Sequence, residues 1–359
     1  MRAVIRRGGP RLVLDTIDAP EPGEGQVLVK ALRTGICGSD LHALHSAERR
    51  AALARKAGFK VTMDPARDVV FGHEFCGEIE RYGPNTHRRI RPGTKVISIP
   101  YARGPDGLEL VGFSNRFPGG FAEKIVLTEA FLIEVPERVG PAEAAMTEPF
   151  AVGVHAVNEA DIRSDTVSMV LGCGPVGLAV IAALKAKGCG PIIAADFSPM
   201  RRAMAGLYGA DIVLDPGREA PHSSWAAFGI SSQRPDPTLN LDALGAASRP
   251  AIFECVGVPG VLQSLLEHAP SRARIIVLGV CQDADQIEPW LAIQKQIELK
   301  FVFGYTPDEF RSTLDAIADG KIDAGRLITS TVGLSEVSDA FIELSNPSKQ
   351  VKIVVDPTV

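Results

Sequence analysis

The sequence predicts an α/β chain, with a doubly wound parallel sheet in its middle and a mostly β domain at its start. Three observations predict it. From Pro149 onward, short apolar runs alternate with helix-like segments. Before about residue 145 the chain reads instead as short β-segments broken by Gly and Pro. The turn Gly172-Cys-Gly174-Pro-Val-Gly177 follows the first strand of the alternating part and opens a helix.

In the first part, strands are expected at 26–30, 94–99 and 124–127, separated by turn text such as Glu21-Pro-Gly23 and Arg91-Pro-Gly93. One helical insert, 43–58, carries Ala, Leu, Glu, Arg and Lys and no internal Gly or Pro. The alternating part offers a strand at 167–171, a helix at 176–187, a strand at 191–196, a helix at 200–207 and a strand at 211–214. A looser stretch, 216–250, precedes strands at 251–255 and 274–280 with a helix at 261–268 between them. Strands joined by helices imply parallel pairing with helices on both faces. The tail changes character again, with helices at 308–318 and 335–344 and a last strand at 349–355, and is expected to fold back onto the first domain.

The chain has 359 residues, so two domains are the prior. Hydrophobic residues at 45% and charged residues at 23% are ordinary globular composition. A net charge of −5 gives no footprint for nucleic acid or an anionic membrane. No apolar signal segment follows the opening MRAVIRRGGP, and no stretch approaches the ~18 apolar residues of a membrane span, so a cytoplasmic protein is expected. Six cysteines, at 37, 76, 173, 189, 255 and 281, include no CxxC pair and read mostly as reduced core thiols.

The glycine turn has the features of a dinucleotide loop. Gly172 makes the tight turn, Gly174 lets backbone approach a pyrophosphate, and Gly177 lets the helix pack close to the strand. Pro175 and Val176 open the helix whose N-terminus would face the phosphates. Asp196 ends the next strand 24 residues after Gly172, near the ~20 expected of a ribose-binding carboxylate. An acid there repels a 2′-phosphate and favours NAD over NADP. Arg201 and Arg202 could soften that repulsion. Arg201 is therefore a candidate cofactor contact, although both also read as helix-surface charges.

Cys37, His73 and Glu148 offer a thiolate, an imidazole and a carboxylate. Three such ligands with one open position are a catalytic zinc set. Zinc with one thiolate and one carboxylate is neutral overall, so a bound alcohol can ionise without a large charge excess. Three residues so far apart in sequence carry little alone.

Taken together, the motifs GICGSDLH, GHEFCGEI, PGTKV, GGFAE, TEP, LGCGPVG and FECVG resemble the zinc-dependent medium-chain dehydrogenase/reductase family, including its alcohol, polyol, butanediol and threonine dehydrogenases. The resemblance covers essentially the whole chain. It implies a central Rossmann domain and a GroES-like catalytic domain formed by both chain ends: 1–149 and 299–359 catalytic, 150–298 NAD-binding. Cys37 and His73 match the first two zinc ligands. Glu148 matches the third, where polyol-type members use Glu. The resemblance also implies roles around the metal. Glu74 is the acid beside it, which swaps in as a ligand in some members, and Asp40 is the carboxylate that orients His73. Ser39 takes the substrate proton, and His42 passes it on through the cofactor ribose. The family expectation for assembly is a homodimer or homotetramer, through the sheet edge near 297–303.

Two departures from the family stand out. Many members carry a structural zinc on four close cysteines; the corresponding stretch, 97–120, has none, so one zinc per chain is expected. The spacing of 36 positions from Cys37 to His73 includes the 43–69 insert with its basic helix AERRAALARK, either a lid or partner surface at the substrate entrance or a solvated rim helix.

The expected activity is NAD- and zinc-dependent oxidation of a primary or secondary alcohol to an aldehyde or ketone, with small-molecule substrates only. Two competitors remain. A metal-free NADPH-dependent quinone or enoyl reductase of the same superfamily is opposed by the three ligands and Asp196. A non-catalytic nucleotide-binding protein is opposed by the Ser39–His42 relay.

Overall fold

The computed structural model describes residues 1–231 and 249–359, so the looser 216–250 stretch falls partly outside the described residues. The chain divides into two units, Met1–Glu148 with Phe310–Val359, and Pro149–Glu309.

The first unit opens with the antiparallel pair β1 (Arg2–Arg6) and β2 (Leu12–Thr16). The long strand β3 (Gln26–Gly35) leads into helix α1 (Gly38–Lys56). Strands β4 (Glu74–Tyr82) and β5 (Lys95–Ser98) follow. A small hairpin, β6 (Tyr101–Gly104) and β7 (Gly107–Leu110), lies in the cysteine-free 97–120 stretch. Then come β8 (Lys124–Thr128), β9 (Leu132–Glu134) and the short helix α2 (Pro141–Ala145). The apolar residues Val27, Val29, Ala31, Ile79, Val96, Ile125 and Leu127 pack into one core cluster.

Helix α3 (Thr147–Glu159) begins at the division between the units. The second unit continues with β10 (Ser168–Leu171), α4 (Pro175–Ala186), β11 (Ile192–Ala195), α5 (Pro199–Leu207) and β12 (Ile212–Leu214). After these come β13 (Ala251–Glu254), α6 (Val261–His268), β14 (Arg274–Val277), α7 (Pro289–Lys295) and β15 (Glu298–Phe301). All five pairings are parallel, in the order β12-β11-β10-β13-β14-β15. This is the Rossmann order, in which connections reverse direction between the strands placed here as β10 and β13. Helix α4 is buried from Gly177 to Leu184, as a helix laid across such a sheet must be.

The tail adds α8 (Pro307–Ala318), β16 (Ser330–Gly333), α9 (Val337–Leu344) and β17 (Ile353–Asp356). Strand β17 pairs antiparallel with β3 and parallel with β16, completing a seven-stranded sheet in which β3 also pairs with β4 and β8.

Several boundaries differ from the sequence expectation, among them one domain break and one helix start. The second break falls at Glu309/Phe310 instead of 298/299, because β15 is hydrogen-bonded into the parallel sheet. Helix α1 starts at Gly38 instead of 43, because Cys37 and Asp40 form a capping box at its first turn. Among the described residues no helix is long and apolar enough to cross a membrane.

Candidate active site

Chemistry-bearing residues gather in one cluster in each unit. In the first unit, β3 runs through Ile36 to Cys37, the N-cap of α1, whose backbone is extended (φ −93°, ψ 152°). The Cys37 N–H donates to Asp40 Oδ2 at 3.0 Å, which holds the thiol-bearing residue at the helix entrance. Asp40 is fully buried, and its other oxygen lies 3.4 Å from His73 Nδ1, at ion-pair distance. That contact leaves Nε2 as the His73 nitrogen available to a metal. Glu74 begins β4 directly opposite Gly35. A Cβ at position 35 would lie 2.1 Å from Glu74 Oε2, so the carboxylate occupies space that only glycine leaves free.

One donor atom from each of Cys37, His73 and Glu74 lies within 4.8 Å of the others. Thiolate, imidazole and carboxylate suit zinc. Buried Asp40 Oδ1 and His73 Nδ1 face each other at 3.4 Å, so the carboxylate orients the ring while Nε2 stays free for an ion. The residues therefore fit a metal of this kind.

The expected third ligand, Glu148, is not in this group; Glu74 supplies the third donor atom. The register of β4 against β3 explains this, since it sets Glu74 beside the strand end that carries Cys37. Glu148 stands in the first turn of α3 and acts electrostatically on Lys352.

Lys352 went unnoticed in sequence reasoning. Its buried ammonium contacts Glu74 Oε1 at 2.7 Å and Oε2 at 2.5 Å, and donates to the Ile36 carbonyl at 3.0 Å. Burial alone would lower the Lys352 pKa, but Glu74 and then Cys37 outweigh it and hold it above its usual value. His73 behaves alike: burial lowers its pKa, while Asp40 and Cys37 keep it well above the ordinary imidazole value. The one available signal for Lys352 was a lysine inside the apolar run of a predicted strand.

Ser39 and His42 lie one turn apart on α1, on neighbouring positions of its surface. His42 is exposed and lines a cavity of about 740 Å³ with Arg11, Leu12, His45 and Phe341. Beyond a kink at Ser46 (φ −127°, ψ 31°), the same helix carries Arg50. Its guanidinium carbon sits 4.0 Å from the centre of the Phe113 ring, and that ring packs 5.2 Å from His73.

In the second unit, Gly172 adopts φ +84°, and a Cβ at Gly177 would lie 1.9 Å from the Gly172 carbonyl oxygen. Both positions therefore require glycine. Gly174 caps α4, with Pro175 and Val176 in its first turn. Asp196 Oδ2 accepts from the Cys173 N–H and Oδ1 from the Ser198 N–H, each at 2.7 Å. Arg201 approaches Asp196 at 4.0 Å and faces Gly174, so it stands at the glycine loop and is not a plain surface charge. Arg202 bonds the Asp196 and Phe197 carbonyls and pairs with Asp215 at 3.1 Å. Its charge is spent within the fold.

Comparison with known proteins places both units. Residues 23–137 match the alcohol dehydrogenase GroES-like domain, and residues 175–319 match the zinc-binding dehydrogenase domain. The (R,R)-butanediol dehydrogenase of Bacillus subtilis is 28% identical over 353 residues, 96% of each chain. The L-threonine 3-dehydrogenase of Sinorhizobium medicae is 27% identical, covering 99% of this chain and 98% of its own. The crystal structure of 2R,3R-butanediol dehydrogenase from Bacillus subtilis superposes with a TM-score of 0.81 over 99% of both chains, at 26% identity.

Proposed function

Because the chain belongs to the zinc-dependent medium-chain dehydrogenase family, we propose that it is an alcohol dehydrogenase. It would oxidise a primary or secondary alcohol to the aldehyde or ketone with zinc and NAD. The observation that carries this reading is the donor group of Cys37, His73 and Glu74, with Ser39 two residues after Cys37 in the first turn of α1. The similar proteins named butanediol, sorbitol and threonine dehydrogenase point to the same reaction class.

Cys37, His73 and one of the two carboxylates, Glu74 or Glu148, would hold the zinc. Zinc supplies Lewis-acid polarisation of the substrate oxygen. Asp40 fixes the His73 ring and caps α1, so two donors are pre-positioned by one carboxylate. Lys352 balances the negative charge of Glu74. Ser39 accepts the alcohol proton and His42 passes it to water. The glycine loop, Asp196 and Arg201 hold the dinucleotide, and Asp196 favours a ribose hydroxyl over a 2′-phosphate. NAD held there would supply the hydride acceptor.

The six cysteines are free thiols, which supports a reducing, cytoplasmic setting. Phe301 and Phe303 are exposed on and just after β15, the outermost strand of its sheet, and Trp290 and Ile293 are exposed on α7, the helix that precedes it in sequence. An unpaired apolar edge of this kind suits a second copy of the chain, as a homodimer or within a homotetramer.

The test is zinc per chain on protein purified without chelator, followed by an alcohol panel read at the reduced-nicotinamide absorbance band. About one zinc and NAD-linked turnover are expected. Zinc near zero that is not restored by added metal would move the reading to the metal-free reductase.

A further inference from the structure

Arg50 is half-buried on the insert helix, and among the described residues it makes no hydrogen bond or ion pair. Its one recorded contact is the Phe113 ring, at 4.0 Å. Both charges near it are committed. Asp40 serves the Cys37 N–H and His73, and the Cys37 sulfur belongs to the metal-ligating group. Burial pulls the Arg50 pKa down, while Asp40, Cys37 and Tyr101 pull it up, so the guanidinium sits within electrostatic reach of the donor group.

A cation partly withdrawn from water without a counter-ion is costly, and an aromatic face offsets only part of that cost. Arginines used only for packing normally bury the stem and leave the charged head to water or a carboxylate. Here the head itself lies on the ring that packs against a metal-ligating histidine. One ring therefore separates the unpaired charge from the metal group. A substrate that carries both a hydroxyl and a carboxylate offers one group to each side of that ring.

We infer that Arg50 is a specificity-determining residue that receives a carboxylate on the substrate, so that the preferred alcohols are hydroxy acids. This rests on the dehydrogenase reading above. A planar guanidinium fork matches a planar carboxylate with two parallel hydrogen bonds. A phosphate would call for more donors than this single side chain offers. The insert that lengthens the path from Cys37 to His73 is then the element that selects the substrate.

The experiment uses zinc-loaded full chain with NAD and matched pairs: lactate with propane-1,2-diol, glycerate with glycerol, and gluconate with sorbitol. Glycerol 3-phosphate is added as the phosphate arm. In at least one pair the acid should exceed its neutral partner in kcat/KM by tenfold or more. Arg50→Gln should reduce that ratio by at least tenfold, mainly through KM of the acid, and Arg50→Lys should restore part of it. Arg55→Gln, which removes a charge from an exposed position of the same helix, should leave the ratio intact. If no acid is preferred, if Arg50→Gln lowers both members of a pair equally, or if the phosphate ester is preferred over every acid, the inference fails. Calorimetric titration of the same acids into wild-type and Arg50→Gln protein decides the point separately. Turnover of no alcohol at all would sink the dehydrogenase reading, while Arg50-dependent binding of an acid would still stand.

Discussion

Lys352 and Glu74, 278 positions apart in sequence, form an ion pair at 2.5 Å with both side chains essentially inaccessible to water. The pair fastens the segment just before β17 to the start of β4 beside the candidate metal-ligating group. Breaking one partner of such a pair leaves the other charge buried and alone. Lys352→Met should therefore cost about 3–5 kcal/mol of stability. The double variant Lys352→Met/Glu74→Gln should recover part of it, since the stranded charge is gone. Urea unfolding of the metal-free protein measures both, and a loss below ~1 kcal/mol for the single variant would contradict the pairing.

The raised His73 pKa gives a pH dependence with a definite sign. Its folded value lies above the ordinary 6.5, so in metal-free protein the protonated ring adds stability below about pH 6.5 that is lost as pH rises through the folded value. Zinc needs the neutral ring, so its binding should release a proton and tighten as pH rises across the same window. Chelator competition at several pH values checks this. An affinity independent of pH above 6.5 would count against His73 as a ligand.

Thiol reactivity should sort the cysteines by environment. Burial pushes Cys76 and Cys173 up to about 12, with Asp196 adding to Cys173, so neither should react with iodoacetamide at neutral pH. Exposed Cys281 should react freely, and Cys37 should react only after zinc is removed. Peptide mass mapping with and without chelator reads this out. Labelling of Cys37 at equal rates in both states would remove it from the metal group.

At the nucleotide loop, Gly177→Ala should cost about 1–3 kcal/mol and abolish tight nucleotide binding, because its Cβ meets the Gly172 carbonyl. Asp196→Asn should weaken NAD by about tenfold and NADP far less. Equal losses for the two cofactors, in fluorescence titration, would leave Asp196 as a loop brace only.

The second unit was largely legible in sequence because each of its elements carries a local signal: apolar strand runs, Gly172 through Gly177, and an acid at Asp196. The first unit was less so. The start of α1 was missed because Gly38 and Ser39 are poor helix formers, and the helix begins there through the Cys37–Asp40 cap. The second domain break was set at the start of β15 because ELKF is short and shows little periodicity. Lys352 carried no signal beyond its place in an apolar strand run, since the partner that makes its burial tolerable lies 278 positions away in the chain. In the run of basic residues on α1, which arginine turns inward depends on a kink at Ser46 and a ring at Phe113, and neither is visible in local pattern.

The closure of β17 onto β3 also orders events during synthesis. Cys37, His73 and Glu74 leave the ribosome before any of the second unit, whereas Lys352 follows all of it. The second unit is continuous in sequence and can fold as it emerges. The metal-ligating half must meanwhile wait with Glu74 lacking its counter-charge. A nascent chain would thus hold a half-built, over-negative pocket until its last strand docks, so the counter-charge of Glu74 is the last part of the site to arrive.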